Sequence, residues 1–375
     1  MVLFAGIKSN HSSVITENLF NIKSEEASNS NSLSLISLFH YNNPMSILTI
    51  SHLYKRFNLE AGFFARFGRF VNAVNDISFS IGRNEAYGLV GESGCGKTTT
   101  ARMLVRMYEA DSGEILYKHE NTTLDVAGLK KEALRLYREK VRYVFQDPAR
   151  SLNPRMSVYE VLVSGCRKPL KKRGVSEKEL RKKAADILEE VGLQAADLEK
   201  RPSEFSGGQR QRISIARSLL MEPEVLICDE VVSALDVSIQ GQILNLLLDI
   251  RKKRNISFLF IAHDLKVACY FCDRIGVMYK GELMEEANAA DLYKEGLHPY
   301  TKLLFSSAAG ITEELEAGNE ELEINKKEKN KNSTLLISSS CSFAPRCPAA
   351  AERCFNEHPV LNEIRDGHLI RCFNL

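Results

Sequence analysis

The segment with the clearest chemistry is a glycine-rich run that contains Gly91, Glu92, Ser93, Gly94, Cys95, Gly96, Lys97 and Thr98. A glycine, four residues and then Gly-Lys-Thr is the spacing of a phosphate-binding loop. Glycines adopt backbone angles that turn successive N–H groups inward, and a following helix adds free N–H groups and the positive end of its dipole. We expect Lys97 to neutralise phosphate charge and the Thr98 hydroxyl to hold Mg²⁺. Thr99 belongs to the same predicted site. A glycine-rich turn with a chance lysine is the alternative, which the flanking strand and helix patterns oppose.

Polar side chains at the ends of three further apolar segments form a second set of candidates. Gln146 follows a strand pattern, Asp229 and Glu230 end another, and His263 follows a third. Asp229 is suited to hold Mg²⁺ through water, and Glu230 is suited to take a proton from an attacking water. Gln146 could bridge Mg²⁺ and water, and His263 could contact a γ-phosphate. Acids at strand ends also serve as helix caps, and a lone histidine is usually structural.

The intervening segments predict how these residues are positioned. Apolar strand patterns alternate with helical patterns from residue 85 onward, which is typical of an α/β fold. We therefore predict a mainly parallel core sheet with the site along one edge. The earlier strand patterns predict a β-rich start, and residues from about 147 to 204 predict a mostly helical segment.

Composition limits the class of protein. The chain has 375 residues, 44% hydrophobic and 26% charged, with a net charge of +2. That charge does not indicate a nucleic-acid partner. No run approaches the roughly 18 apolar residues of a membrane span, so a role at a membrane would require docking onto other subunits. Residues 1–44 contain a polar run of low complexity at 24–32, which predicts a disordered extension, and Met45 is a candidate start of translation.

Four consecutive residues identify a family resemblance. Ser206, Gly207, Gly208 and Gln209 match the signature of the ATP-binding-cassette (ABC) ATPases. The resemblance implies that these residues contact the ATP of an opposite subunit. It also makes Gln146 the Q-loop glutamine, Asp229 and Glu230 the Walker B pair, Asp236 a D-loop residue and His263 the switch histidine. Phe57 is our candidate for the aromatic residue that stacks on adenine, with the aromatic loop up to Phe70 as the alternative.

Three further segments resemble the ATPases of di- and oligopeptide importers. They are the run from Gln146 to Met156, the run from Gly296 to Thr301, and Cys-Ser-Phe-Ala-Pro-Arg-Cys-Pro at 341–348. The loop from Gly62 to Gly68 favours the F-type of the two paired ATPase subunits. The resemblance covers residues 46–375 and divides them into an ATPase domain (46–295) and a C-terminal extension (296–375) with a linker at about 313–332. It implies a phosphate-loop NTPase fold with an N-terminal antiparallel β subdomain, a helical signature subdomain (about 147–204) and a small cysteine-bearing tail.

This resemblance implies an ATPase, with ATP and Mg²⁺ as cofactors, that couples hydrolysis to peptide uptake. The implied partners are a paralogous ATPase subunit, two membrane permease subunits and an extracytoplasmic solute-binding protein. The implied location is the cytoplasmic face of the cell membrane. Importers of nickel or other small solutes share much of the pattern and are an alternative. A soluble ABC ATPase of repair or translation is a second alternative, opposed by the single cassette and the importer-type tail.

The tail carries a cluster of thiols at Cys341, Cys347, Cys354 and Cys372. Two disulfides and four packed free thiols are alternatives, and a reducing compartment disfavours the disulfides. Four thiolates suit tetrahedral zinc or an iron–sulfur cluster. The paired two-residue spacings of zinc ribbons are absent from this segment. The family resemblance implies a [4Fe–4S] cluster with a structural or docking role.

Overall fold

The computed structural model describes residues 46–58, 70–120, 122–308 and 340–374. The predicted extension 1–44, the aromatic loop 62–68 and the linker 313–332 lie outside these residues. The described strands are β1 (Ser46–Asn58), β2 (Phe70–Gly82), β3 (Ala86–Val90), β4 (Ser112–His119), β5 (Thr122–Asp125), β6 (Val141–Val144), β7 (Val225–Asp229), β8 (Ser257–Ala262), β9 (Arg274–Tyr279), β10 (Glu282–Asn288), β11 (Asn362–Arg365) and β12 (His368–Ile370).

The described helices alternate with these strands. They are α1 (Lys97–Leu104), α2 (Lys131–Lys140), α3 (Pro148–Ser151), α4 (Val158–Val163), α5 (Arg167–Lys172), α6 (Glu177–Glu190), α7 (Gly207–Leu219), α8 (Val237–Arg254), α9 (Leu265–Phe271), α10 (Ala289–Glu295), α11 (Pro299–Ala308) and α12 (Glu352–Asn356). Short 3₁₀ turns cover Ala195–Glu199, Pro202–Glu204 and Ala344–Arg346. None of the described helices is long and apolar enough to cross a membrane.

Two sheets organise the described residues. The first is antiparallel, in the order β2-β1-β4-β5. The second has the order β11-β12-β10-β9-β3-β8-β7-β6, in which β6, β7, β8, β3 and β9 run parallel. The predicted antiparallel subdomain and mainly parallel core sheet are therefore confirmed. Because β3, β7 and β8 lie side by side and parallel, the residues that follow them meet at one edge of the sheet.

Alternate residues of the parallel strands enter two separate hydrophobic clusters. Phe258 and Phe260 of β8 belong to the cluster that includes α4, α6, α7 and α8. Leu259 and Ile261 belong to the cluster that includes α1, α2 and the antiparallel sheet. Both faces are thus covered, which explains why these strands are continuously apolar in sequence. The ends of these strands, where the predicted site lies, are therefore packed from both faces of the sheet.

The C-terminal residues extend the core sheet, which the sequence did not indicate. The hairpin β11–β12 pairs through β12 with β10. The buried carboxylate of Glu285, on β10, bonds to His368 Nε2 at 2.8 Å and accepts the N–H groups of Leu297 and His298. Burial lowers the pKa of His298 to about 4, so its neutral ring accepts the N–H of Tyr300 at Nδ1 (3.0 Å).

Candidate nucleotide site

The phosphate loop joins β3 to α1 and has the backbone that its glycines were expected to supply. Gly91, Gly94 and Gly96 have φ of 155°, 82° and 111°. A Cβ atom at Gly91 would lie 2.1 Å from the carbonyl oxygen of Met278, and one at Gly96 would lie 2.0 Å from that of Ala73. Other side chains at these two positions would therefore collide with backbone as well as strain the loop.

Lys97 is the first residue of α1, and its side chain turns back along the loop. Its ammonium donates to the carbonyl oxygens of Gly91 (2.7 Å) and Glu92 (3.0 Å) and lies 3.8 Å from the Cys95 sulfur. The residue is only 4% exposed. A cation held inside a loop at a helix N-terminus is arranged to bind phosphate oxygens.

Asp229 lies at the end of β7 beside Thr98, as the sequence predicts for a Mg²⁺ site. The Thr98 hydroxyl donates to Asp229 Oδ1 at 3.0 Å, and the Tyr143 hydroxyl donates to Oδ2 at 2.5 Å. Burial and the neighbouring Asp229 raise the pKa of Tyr143, so this hydroxyl stays protonated and remains a donor. Tyr143 was not predicted from the sequence. It lies in the strand that leads to Gln146, but the pairing of that strand with β7 is seen only in the structure.

Glu230 is in contact with a second predicted residue, Gln146. The Gln146 amide nitrogen donates to Glu230 Oε2 at 2.6 Å. His263 lines the same small pocket as Glu230, together with Val232, Ser233 and Gln240. Glu230 has a left-handed φ of 48°, and its carbonyl oxygen accepts the N–H and the hydroxyl of Ser233 at 3.1 and 2.9 Å. A non-glycine residue in this conformation carries strain that neighbouring contacts must offset, and such residues cluster at active sites.

The signature residues begin α7 on the exposed surface. Ser206 is its N-cap: its hydroxyl accepts the Gln209 N–H at 3.3 Å, and Gln209 Oε1 accepts the Ser206 N–H at 3.0 Å. This reciprocal capping box occupies the Gln209 side chain. A Cβ atom at Gly208 would lie 2.7 Å from Ile239 Cγ2 of α8, so close helix packing requires glycine there. Asp236 is exposed at the N-terminus of α8.

Comparisons with known proteins agree with this geometry. A family model described as "ABC transporter" matches residues 74–233, and one described as "Oligopeptide/dipeptide transporter, C-terminal region" matches residues 284–354. The oligopeptide transport ATP-binding protein OppF of Bacillus subtilis is 47% identical over 262 residues, which are 70% of this chain and 82% of that protein. The chain belongs to the ABC ATPases of the oligopeptide/dipeptide transporter family.

Further relatives extend the likeness along the chain. AppF of Bacillus subtilis, an oligopeptide transport ATP-binding protein, is 39% identical over 88% of this chain and 98% of its own length. The solved structure of cbiO1 from Clostridium perfringens, part of the ABC transporter complex cbiONQ, matches with a TM-score of 0.56 and 29% identity over 67% of this chain and 91% of that one. A dimeric ATP-binding cassette bound to ADP and Pi matches with a TM-score of 0.55 and 26% identity over 64% of this chain and 98% of that one.

As an ABC ATPase, the chain hydrolyses ATP. The roles of Lys97 on the phosphates, of Thr98 and Asp229 on Mg²⁺, and of Glu230 as the proton acceptor stay predictions. One chain does not bring every predicted residue together. No described hydrogen bond joins the signature residues or Asp236 to the phosphate loop.

Phe57 lies near the end of β1, where its ring meets Tyr108 edge to face with centroids 5.3 Å apart. Lys55 lies 5.5 Å from the same ring and also pairs with Asp111 at 2.8 Å. The role of Phe57 as the adenine-stacking residue stays a prediction. Of the alternative aromatic residues, those at 63, 64 and 67 lie outside the described part of the chain. Phe70, the first residue of β2, is 47% exposed, and the Arg56 guanidinium lies 4.6 Å from its ring centroid.

The four cysteines of the tail are near neighbours, but they do not form a cage. The Cys341 N–H donates to the Cys354 carbonyl oxygen at 2.8 Å. Burial raises the pKa of Cys341 and of Cys347, and the nearby thiols of Cys354 and Cys372 add to both shifts. Within the described residues, no group of three or more Cys, His, Asp and Glu side chains has the arrangement of a metal site. Four thiols are the right number and kind of ligand for iron or zinc. Their positions in this structure, however, are not those of a metal site.

Proposed function

We propose that this chain is the ATP-hydrolysing subunit of an importer for di- or oligopeptides. The observation that carries the proposal is the joint match of the cassette (74–233) and of the peptide-transporter C-terminal region (284–354) in one chain. The contact between Glu230 and Gln146 supports the hydrolytic part of the proposal. In this assignment the ATPase domain is 46–295, its helical subdomain is about 147–204, and the C-terminal extension is 296–375.

The catalytic unit in this proposal is a pair of ATPase subunits. The signature residues of one subunit complete the ATP site of the other, which accounts for their exposure at the start of α7. Val237, next to Asp236, supports the pairing because it exposes 84% of an apolar side chain at the start of α8. We infer a paralogous ATPase as the second subunit, two permease subunits in the membrane and an extracytoplasmic solute-binding protein. This assembly would hold the chain at the cytoplasmic face of the membrane.

Uptake assays in cells test which solute is transported. In cells whose own copy of this chain is deleted, the wild-type chain should restore uptake of a radiolabelled tripeptide, and the Glu230→Gln variant should not. Uptake of radioactive Ni²⁺ should be the same in all three strains. Loss and recovery of nickel uptake without a change in peptide uptake would favour the nickel importer. Normal uptake of both solutes in the deletion strain would favour a role outside transport.

Val237→Glu should disrupt the paired state, because it places a charge at an apolar contact. We expect the ATPase rate of the reconstituted complex to fall about tenfold, with ATP binding to the isolated chain unchanged. Val360→Glu is the matched control, since Val360 is also a highly exposed valine (68%) but lies in the tail. Equal ATPase rates in Val237→Glu and wild type would contradict this arrangement of the pair.

We further propose that Cys341, Cys347, Cys354 and Cys372 bind a [4Fe–4S] cluster. Support comes from four neighbouring thiols, which match the ligands of a cluster in number and kind. Binding of a cluster would have to bring them closer together, because their placement is not that of a metal site. Chain purified without oxygen should absorb near 400 nm and contain iron and labile sulfide. The double variant Cys347→Ser, Cys354→Ser should lose both, whereas Cys166→Ser, in the helical subdomain, should keep both. One zinc per chain, or no metal, would contradict the proposal.

A further inference from the structure

Glu92, the second residue of the phosphate loop, has all its polar groups engaged. Both carboxylate oxygens accept hydrogen bonds from Arg346, each at 2.9 Å. Its backbone N–H donates to the Tyr300 hydroxyl at 3.0 Å, and its carbonyl oxygen accepts from Lys97 at 3.0 Å. The Cys95 N–H also donates to this carbonyl oxygen, at 3.3 Å. Two of the four partners, Tyr300 and Arg346, belong to the C-terminal extension, more than 200 residues away in sequence.

The two C-terminal partners are held by aromatic packing. The Tyr300 ring is fully buried, with centroids 4.7 Å from Tyr279 and 5.3 Å from Phe343. The Arg346 guanidinium lies 5.6 Å from the Tyr279 ring and 5.8 Å from the Phe343 ring. A guanidinium over aromatic faces is attracted by their quadrupoles and loses freedom to rotate. Arg346 is therefore positioned before it meets Glu92.

The unit that carries Arg346 is itself anchored to the core sheet. Glu282, on β10, accepts the Ser342 hydroxyl at 2.8 Å and bonds to His358 Nε2 at 2.9 Å. Arg371 donates from Nε to the carbonyl oxygen of Leu283 at 2.9 Å. These contacts fix the tail on both sides of Arg346. The backbone that carries Arg346 is therefore held in place relative to the core sheet, and the side chain can pair with Glu92 from that fixed position.

We propose that Arg346 and Tyr300 are positioning residues for ATP binding, which act through Glu92 on the phosphate loop. Arg346 offsets a carboxylate that would otherwise repel the triphosphate, and its two parallel bonds set the orientation of Glu92. Tyr300 holds the backbone whose carbonyl oxygen receives Lys97. The inference rests on the assignment of the loop to the ATP phosphates.

The test measures the affinity of the full chain for a non-hydrolysable ATP analogue with Mg²⁺ by calorimetry. Arg346→Ala should raise Kd about fivefold, equivalent to about 1 kcal/mol. The effect is modest because both side chains are partly exposed, at 45% and 40%. Tyr300→Phe should raise Kd about threefold. Arg353→Ala is the matched control: Arg353 lies in the same tail but pairs with Glu357 (2.8 Å), and its loss should leave Kd within twofold.

A double-mutant cycle separates this role from folding of the tail. Glu92→Gln removes the charge that Arg346 offsets, so the double variant Arg346→Ala, Glu92→Gln should bind the analogue as Glu92→Gln does. Arg346→Lys should lie between wild type and Arg346→Ala. Wild-type affinity in Arg346→Ala would overturn the proposal, and so would a double variant that stays fivefold weaker than Glu92→Gln. Failure of the loop assignment itself would appear separately, as unchanged affinity in Lys97→Ala.

Discussion

Replacing Glu230 with glutamine should lower the steady-state rate of ATP hydrolysis by on the order of 10²-fold or more, the range for loss of a positioned general base. The amide keeps the size of the side chain and an acceptor oxygen, but it cannot take a proton from water. Binding of ATP should persist, since Glu230 is not among the groups that surround Lys97 and the loop. The variant should therefore accumulate as an ATP-bound pair, measurable by gel filtration with ATP.

Glu222→Gln is a matched control for this variant. Glu222 also has a left-handed backbone, with φ of 52°, but its carboxylate pairs with Lys183 at 2.6 Å, away from the nucleotide site. We expect the Glu222 variant to hydrolyse ATP within twofold of the wild-type rate. A Glu230 variant with an unchanged rate, or a Glu222 variant that loses activity to the same extent, would refute the assignment of Glu230 as the base.

Lys97→Ala should weaken ATP binding itself, by about 10- to 100-fold in Kd. Charge-assisted hydrogen bonds contribute about 1.5–3 kcal/mol each, and the low exposure of Lys97 limits replacement of the ammonium by water. Removal of the side chain also takes away the ammonium donor of the Gly91 carbonyl oxygen and leaves the Glu92 carbonyl oxygen with the Cys95 N–H at 3.3 Å. Equilibrium titration with ATP and Mg²⁺ measures the effect directly.

Lys140→Ala serves as the comparison for Lys97→Ala. Lys140 ends α2 next to the opposite end of the parallel sheet, where it pairs with Glu224 at 3.3 Å. Its removal should leave the ATP affinity within twofold of wild type. If Lys97→Ala bound ATP as tightly as Lys140→Ala, the ammonium of Lys97 would not lie on the phosphates.

Local patterns predicted much of the fold and of the hydrolytic site. The continuously apolar strands, the helical periodicity and the glycine spacing are local patterns that depend only on neighbours in sequence. They therefore predicted the parallel sheet and the phosphate loop without knowledge of the tertiary structure. The polar residues Gln146, Asp229 and His263 could be placed near one another because the ends of parallel strands share one edge. Their actual partners, such as the pair between Gln146 and Glu230, required the packed structure.

What the sequence by itself determined is the class of chemistry: a phosphate loop, a pair of acids and a signature that belong together. What only the tertiary structure decided is how distant segments act on that loop. Tyr300 and Arg346 lie in two runs that carry the family resemblance, 296–301 and 341–348, but nothing in local spacing connects either residue with Glu92. Tyr300 and Arg346 reach the loop because β12 pairs with β10 and buried acids of β10 hold the tail in place. Tyr143 reaches Asp229 because β6 pairs with β7. Such contacts depend on the way elements pack in three dimensions, which local sequence patterns do not encode.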